Sequence, residues 1–375
     1  MKTISQNTFF LFLFLSLLWG CGPDQALILE ARQSQSQQAI INGELCDENS
    51  FPSAVALITD AEIQVPWFGD QTIRQATCTG TLIAPDVVLT AAHCLDPTLA
   101  TFGFGEVQSL AFYVSPQADL TGMETENAVI PESAQIASDW VAHPEFDIDG
   151  LQSAGGPINL KDVALVFLDE PLDIEPAIVI TKEESEQLKV EKEVSIVGWG
   201  MQTAEGGSPW EAPPAGTTGK KVCAESFINE VGSHEFQVGA DASTSRKCHG
   251  DSGGPSYMAV TTDSPKKLRV VGITSHAYDE SDCEKGGIDT RVDVWFDWIE
   301  AEMIAACDSG ARTQCDTPGI LPPPPPEKDI NLDVALRLDK LLKTNSSLFA
   351  HNTNLQKTNL INKLIITYLS VCQPI

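Results

Sequence analysis

Basic residues are scarce in this chain of 375 residues, where 23 Lys and Arg stand against 52 Asp and Glu and the formal net charge is −29 at pH 7. A nucleic-acid interface needs clustered positive charge to meet the phosphates. The composition therefore argues against a nucleic-acid partner and favours a soluble protein.

Apolar runs long enough to cross a bilayer are also missing from the sequence. The runs from Phe9 to Trp19 and from Leu360 to Leu369 both fall short of the roughly 20 residues that a membrane-spanning helix needs. The first run follows Lys2 and has the length of a signal-peptide core. Residues 1–20 therefore predict a signal peptide and an exported protein, either secreted, periplasmic or on the cell surface.

The apolar run ends in Leu18-Trp19-Gly20-Cys21, which resembles the lipobox of bacterial lipoproteins. In that motif, cleavage precedes a cysteine that is then acylated, so we favour Cys21 as a lipidation site and the point of membrane attachment. The alternative is an ordinary secretory cleavage nearby, which leaves Cys21 as a thiol or a disulfide partner. Residues 21–39 follow as a polar, Gln-rich propeptide or anchor segment with little to bury.

The rest of the chain has three zones. Residues 40–307 hold short β-branched runs separated by Gly, Pro and Asp, which predicts an all-β domain, with one helix at Val292 to Ala306. Residues 308–329 contain the prolines from Pro322 to Pro326 and predict an extended linker. Residues 330–375 form a tail of unknown role.

A serine flanked by glycines, in Gly250-Asp251-Ser252-Gly253-Gly254-Pro255, predicts a nucleophile. A serine hydroxyl is a weak nucleophile at neutral pH and needs a histidine base that a carboxylate orients. His93 follows the apolar run Asp86-Val87-Val88-Leu89, and Asp162 precedes the run from Val163 to Leu168. The order His93, Asp162, Ser252 is one of the few that Ser-His-Asp triads adopt.

These three segments resemble the catalytic motifs of the trypsin/chymotrypsin-like serine peptidases. The resemblance implies an all-β, chymotrypsin-like fold of two six-stranded antiparallel β-barrels with a C-terminal helix. It also implies an endopeptidase that forms an acyl-enzyme with protein or peptide substrates and needs no cofactor or metal. In that mechanism His93 is the acid/base, Asp162 orients it, and the backbone N–H groups of Gly250 and Ser252 form the oxyanion hole. We expect a monomer.

The resemblance also implies a zymogen. Cleavage at Ala39-Ile40 would release an ammonium group on Ile40 that pairs with Asp251 and orders the oxyanion loop. Ala39 stands where many family zymogens have Arg or Lys, so trypsin-like self-activation is not expected. Either another protease or this enzyme with a non-tryptic preference must cut there, and the cut would free the catalytic domain from a lipid on Cys21.

The ten cysteines of an exported chain predict disulfides. The resemblance implies the pairs Cys78-Cys94, Cys248-Cys283 and Cys46-Cys223. Cys307 and Cys315 are close enough in sequence to close a short loop. Cys21 and Cys372 remain, and lipidation of Cys21 would make Cys372 the odd thiol.

Substrate specificity departs from the trypsin pattern. The resemblance implies a pocket for the P1 side chain, on the carbonyl side of the scissile bond, that is formed by Arg246, Lys247, Ser275, His276, Ala277, Gly287 and Asp289. Arg246 falls where trypsin-like enzymes place an acid, so a basic P1 residue is not expected. One alternative is an acidic P1 residue attracted by Arg246, Lys247 and His276. The other is that Asp289 neutralises Arg246 and the pocket takes small or apolar side chains.

Two other functions stay open at this point. A binding protein can use a peptidase scaffold without catalysis, although such a protein would normally have lost a member of the triad. An esterase can use the same triad, and turnover of peptide against ester substrates separates that function from a peptidase.

Overall fold

The computed structural model describes residues 40–98, 105–124, 128–152, 155–202, 217–260, 267–279, 282–316 and 319–320. The chain divides into two units, Met1–Leu321 and Pro322–Ile375, and the second lies outside the described residues. The predicted signal peptide, the segment 21–39 with Cys21, and Cys372 lie outside them as well.

The first half of the described chain contains seven strands: β1 (Glu44–Leu45), β2 (Ala54–Val65), β3 (Gly69–Ala84), β4 (Val87–Thr90), β5 (Glu106–Ser115), β6 (Gln135–Ala142) and β7 (Ala164–Leu168). Strands β2 to β7 form a closed antiparallel barrel in the order β2-β3-β4-β7-β6-β5. Strands β4 and β7 are buried at every position, which explains why all their residues except Thr90 are apolar.

The second barrel closes in the order β9-β10-β11-β14-β13-β12, because β9 pairs with both β10 and β12. Strand β1 is added to β10, and β8 runs parallel to β13. The strands are β8 (Ile178–Val179), β9 (Glu193–Gly198), β10 (Val222–Val231), β11 (Glu235–Val238), β12 (Pro255–Ala259), β13 (Leu268–Ala277) and β14 (Gly287–Arg291). The predicted fold class of two six-stranded barrels is confirmed.

Two helices complete the described fold, the short α1 (Ile148–Gln152) and the long α2 (Val292–Ser309). Helix α2 buries a stripe of apolar side chains at helical spacing, which includes Phe296, Ile299 and Met303. It ends at Gly310, which takes the left-handed conformation that suits glycine (φ 82°). The predicted helix is present and continues from Ala306 to Ser309. Among the described residues, no helix is long and apolar enough to cross a membrane.

Candidate active site

His93 lies in a buried 3-10 turn, Ala92–Leu95, directly after β4. The next residue, Cys94, forms a disulfide with Cys78 of β3, so the turn is tied to the neighbouring strand. The His93 side chain is only 6% exposed. The strand before the turn and the disulfide at Cys94 within it together fix the position of the imidazole.

Asp162 reaches His93 because β4 and β7 pair, with Thr90 opposite Ala164. Its Oδ2 atom lies 2.7 Å from His93 Nδ1, and its Oδ1 atom accepts a 2.9 Å hydrogen bond from the His93 backbone N–H. Ser275 Oγ donates a further hydrogen bond of 2.6 Å to Oδ2. The carboxylate therefore fixes both the ring and the backbone of His93.

The pKa of Asp162 results from opposing effects. The carboxyl is completely buried, which by itself raises the pKa, but the His93 charge and the hydrogen bonds from His93 and Ser275 outweigh burial and lower the pKa below its ordinary value. Asp162 is therefore ionised at neutral pH and can hold the Nδ1 proton of the imidazole. The sequence placed Ser275 in the pocket wall, whereas the structure places its hydroxyl on Asp162.

Ser252 lies in a loop that forms hydrogen bonds with residues of both barrels. Its carbonyl accepts a 2.8 Å hydrogen bond from the Thr79 N–H of the first barrel, and Gly253 N–H donates to the Thr274 carbonyl of the second at 2.8 Å. Gly253 has a φ of 77°, and a Cβ on it would lie 2.1 Å from Thr90 Oγ1. Only glycine fits there, in close packing against the strand that leads to His93.

Most of the groups expected to react have no hydrogen-bond partner among the described residues. Among the residues that the structure describes, no hydrogen bond joins Ser252 Oγ to His93, and the backbone N–H groups of Gly250 and Ser252 meet no acceptor. His93 Nε2 contacts the Cys94 sulfur at 3.8 Å. Catalytic hydrogen bonds are often long in substrate-free enzymes. Backbone N–H donors without acceptors, one of them on the serine itself, are available to receive an oxyanion.

Asp251, the neighbour of Ser252, is completely buried. Its carboxylate accepts hydrogen bonds from Gly200 N–H at 2.9 Å and from Cys248 N–H at 2.8 Å. Burial nevertheless raises its pKa from 3.8 to about 6, and within the described chain it forms no ion pair. Ile40 is also completely buried, with a φ of 49° that is rare for a β-branched residue.

The predicted pocket lacks the ion pair between Asp289 and Arg246 that the alternative of a small or apolar P1 residue requires. Asp289 is not bonded to Arg246: Lys247 Nζ donates to both Asp289 oxygens, at 2.9 and 2.8 Å, and to Ser256 Oγ at 3.0 Å. Arg246 instead donates to the Glu284 carbonyl. Neighbouring side chains of this segment thus have different surroundings, because Lys247 contacts Asp289 and Ser256 whereas Arg246 contacts Glu284.

His276 and Ala277 continue β13 from Ser275, and Ala277 pairs with Gly287 of β14. The His276 ring does not stand open to an incoming anion. Its Nε2 atom lies 3.3 Å from Glu235 Oε2, and its Nδ1 atom lies 2.8 Å from the Ala277 carbonyl. Glu235 could not be predicted from the sequence, because it stands alone at the start of β11 and no motif marks it.

The described residues form four disulfides, Cys46–Cys223, Cys78–Cys94, Cys248–Cys283 and Cys307–Cys315. Cys78, His93 and Cys94 lie close enough together for a metal site. The two sulfurs are bonded to each other, however, and cannot act as thiolate ligands.

Comparison with known proteins gives a consistent result. The family described as Trypsin matches residues 40–299. A trypsin of Saccharopolyspora erythraea is 26% identical over 272 residues, which cover 71% of this chain and 99% of the relative. Proproteinase E of Bos taurus is 28% identical over 236 residues (61% of this chain, 84% of the relative), and human kallikrein-4 is 27% identical over 225 residues (59% and 73%).

Proposed function

This chain belongs to the trypsin family and is a serine endopeptidase, and from that premise we propose that Ser252, His93 and Asp162 are its catalytic triad. The observation that carries the proposal is the buried contact of 2.7 Å between His93 Nδ1 and Asp162 Oδ2. Because Asp162 holds the proton on Nδ1, the other ring nitrogen, Nε2, is free to accept a proton. Ser252 lies in the loop that packs against the strand before His93.

In the proposed reaction, Ser252 Oγ attacks the substrate carbonyl carbon while its proton passes to His93 Nε2. The carbonyl oxygen becomes an oxyanion that accepts hydrogen bonds from the backbone N–H groups of Gly250 and Ser252. When the C–N bond breaks, His93 returns the proton to the leaving amine and an acyl-Ser252 ester remains. Water then repeats these steps and releases the acid.

The zymogen part of the proposal is supported by the surroundings of Asp251. Its carboxyl group is completely buried and forms no ion pair among the described residues. An ammonium group on Ile40, released by cleavage at Ala39-Ile40, would supply a cation for it. An unpaired buried carboxylate is costly, so cleavage would favour the ordered form of the loop around Ser252.

Export and membrane attachment complete the proposal. Four disulfides among the described residues fit an oxidising compartment. If the mature precursor begins at a lipidated Cys21, the cut at Ala39-Ile40 releases the catalytic domain from its anchor. The partners are then protein substrates and an activating protease, and the enzyme acts as a monomer.

The test compares three proteins: the precursor, the chain from Ile40 to Ile375, and the Ser252→Ala variant of the latter. A chain that begins at Ile40 is made by removing a cleavable fusion partner. We expect the Ile40 chain to hydrolyse an unfolded protein at least a hundredfold faster than the precursor, and Ser252→Ala to be inactive. Equal rates for precursor and Ile40 chain would refute the zymogen proposal, and an active Ser252→Ala variant would refute the triad.

A further inference from the structure

Gly287 of β14 lies beside Lys247, in the segment before Ser252, and beside His276 of β13. Among the described residues, a Cβ built at Gly287 would meet within 4 Å only Lys247 Cβ at 3.4 Å and the His276 carbonyl at 3.9 Å, and we call the space there the recess. At the adjacent Gly286, a Cβ would lie 2.0 Å from the Gly239 carbonyl. Gly287 therefore faces space that a small side chain can enter, and the stem of Lys247 forms one wall.

The charge of Lys247 is not presented to this recess. A lysine ammonium has three N–H donors, and Nζ has three oxygen partners, the two Asp289 oxygens and Ser256 Oγ, within 3.0 Å. Both side chains of the ion pair are completely buried. The ammonium is therefore neutralised inside the protein and has no donor left for a substrate carboxylate.

Arg246 lies on the other side of the same segment. Its side chain donates to the Glu284 carbonyl, next to Cys283, which is bonded to Cys248. Arg246 and Cys248 therefore both face the turn at residues 283–284, while Lys247 between them faces Asp289. Arg246 has no carboxylate within ion-pair distance among the described residues, and its Cγ lies 2.9 Å from the Cβ position of Gly239 and not within 4 Å of that of Gly287.

We infer that this recess selects small, uncharged P1 side chains, and that the Ala39-Ile40 bond is therefore a substrate of the mature enzyme itself. The inference rests on the proposed triad and adds the substrate class and the activating agent. A basic P1 side chain would be buried without a carboxylate of its own, because Asp289 is already bonded to Lys247. An acidic one would meet no unoccupied cationic donor on Lys247.

The first test measures kcat/KM of the Ile40 chain on peptides that differ only at P1, with Ala, Ser, Val, Phe, Lys, Arg, Asp or Glu. We expect Ala or Ser to exceed each of the four charged residues at least tenfold. A charged residue among the best substrates would overturn the inference while leaving the triad intact. Failure to cleave any peptide would instead count against the proposed function.

The second test removes one member of the ion pair. Lys247→Met leaves the buried Asp289 carboxylate without a partner beside the recess, so the ratio of Lys to Ala at P1 should rise at least tenfold. Lys247→Met/Asp289→Asn, which has no charge there, should return the ratio to that of the parent. Lys182→Met, at the exposed pair with Asp297, is the matched control and should leave the P1 order unchanged.

The outcomes of this second test are distinct. An unchanged Lys to Ala ratio in folded Lys247→Met would show that the pair does not control the recess. Cleavage after Asp or Glu that disappears in Arg246→Gln would identify Arg246 as the selecting group and overturn the inference. If Lys247→Met does not fold, the P1 series on the parent enzyme still decides.

The third test concerns self-activation in trans. A Ser252→Ala precursor cannot cut itself, so any product formed with a catalytic amount of the Ile40 chain reports cleavage between molecules. N-terminal sequencing should find Ile40 as the new first residue. Replacement of Ala39 by Ser should preserve this cut, and replacement by Lys should slow it at least tenfold. An uncut Ser252→Ala precursor, or equal rates for Ser and Lys at position 39, would overturn the inference.

Discussion

Buried carboxylates with different partners divide the work of the site at the scale of single residues. Asp162 is held ionised by His93 and Ser275, so it can orient the imidazole. Asp251 accepts only backbone N–H groups, and burial raises its pKa to about 6. Asp289 is bonded to Lys247. The surroundings of each acid, rather than its chemical type, suit it to its proposed role: Asp162 orients the base, Asp251 receives the Ile40 ammonium group and Asp289 neutralises Lys247.

Substitution of the orienting carboxylate tests the first of these assignments. Asp162→Asn keeps the shape but removes the charge and permits the wrong imidazole tautomer, so we expect kcat to fall by about 10³ to 10⁴ with little change in KM. Ser275→Ala removes only a hydrogen bond to the carboxylate, and its kcat should fall about tenfold or less. Steady-state kinetics on one peptide substrate measures both. An Asp162→Asn enzyme with kcat near that of the parent would contradict the assigned role.

The raised pKa of Asp251 predicts how the stability of the uncut chain depends on pH. The folded chain holds the Asp251 proton more tightly (pKa about 6) than the unfolded chain (3.8). The stabilisation is thus fully present below about pH 4 and is lost as the pH rises through 6. Relative to strongly acidic pH, the contribution of Asp251 lowers the free energy of unfolding by about 1 kcal/mol at pH 4.5 and by about 3 kcal/mol at pH 7.5.

This dependence is measured in the Ser252→Ala precursor with and without Asp251→Asn, by denaturant unfolding at the two pH values. The stability of the Asn variant relative to its parent should increase by about 2 kcal/mol from pH 4.5 to pH 7.5. All other titrating groups are common to both proteins and cancel. A difference that does not change with pH would show that Asp251 is not a buried, unpaired acid in the precursor.

At the scale of elements, the nucleophile loop depends on the contact between the two barrels. Strand β3 contributes the Thr79 N–H to the Ser252 carbonyl, and the Thr79 hydroxyl donates to the Gly250 carbonyl at 3.0 Å. From β13, the Thr274 carbonyl accepts from Gly253 N–H. The loop that carries the serine and the expected oxyanion donors is therefore shaped by one strand from each barrel.

Two glycines with the same backbone conformation separate steric fit from backbone strain. Gly253 (φ 77°) has no room for a Cβ, whereas Gly69 (φ 75°), at the start of β3, has nothing within 4 Å of that position. Alanine at either site costs about 1–2 kcal/mol of conformational strain. We expect Gly253→Ala to lose at least a hundredfold in kcat/KM and Gly69→Ala to keep it. Equal kinetic losses would show that the tight packing at Gly253 is not required.

The sequence was sufficient where a short motif carries the constraint. The glycines around Ser252 mark a loop with no room for side chains, and the apolar runs beside His93 and Asp162 mark the paired strands β4 and β7 that bring them together. The sequence was insufficient where the outcome depends on the direction of a side chain. Counting along the chain could not tell that Lys247 rather than Arg246 meets Asp289, because the pairing depends on which way each side chain points in the folded segment.

At the scale of the whole molecule, the chain after the second barrel returns to the first. Beyond α2, Arg312 forms a completely buried ion pair of 2.8 Å with Asp86, which precedes β4. Asp86 also accepts the Gln314 backbone N–H at 3.2 Å, within the loop closed by Cys307–Cys315. The packed domain therefore continues past residue 307 and links its C-terminal segment to the barrel that carries His93.

Removal of one partner of this pair should destabilise the whole domain. Arg312→Met leaves Asp86 buried and uncompensated, which we expect to lower the free energy of unfolding by about 3–5 kcal/mol. Arg312→Met/Asp86→Leu should recover most of that loss. Arg74→Met, at the more exposed pair with Asp60, is the control and should cost about 1 kcal/mol or less. A loss at Arg312 no larger than at Arg74 in denaturant unfolding would contradict the proposed link.

Covalent labelling of the chain that begins at Ile40 reports whether His93 activates Ser252. A fluorophosphonate reacts with an activated serine, and peptide mass spectrometry locates the adduct. We expect one adduct, on Ser252, and a loss of labelling of at least a hundredfold in His93→Ala. An adduct on another residue, or full labelling of Ser252 without His93, would contradict that activation.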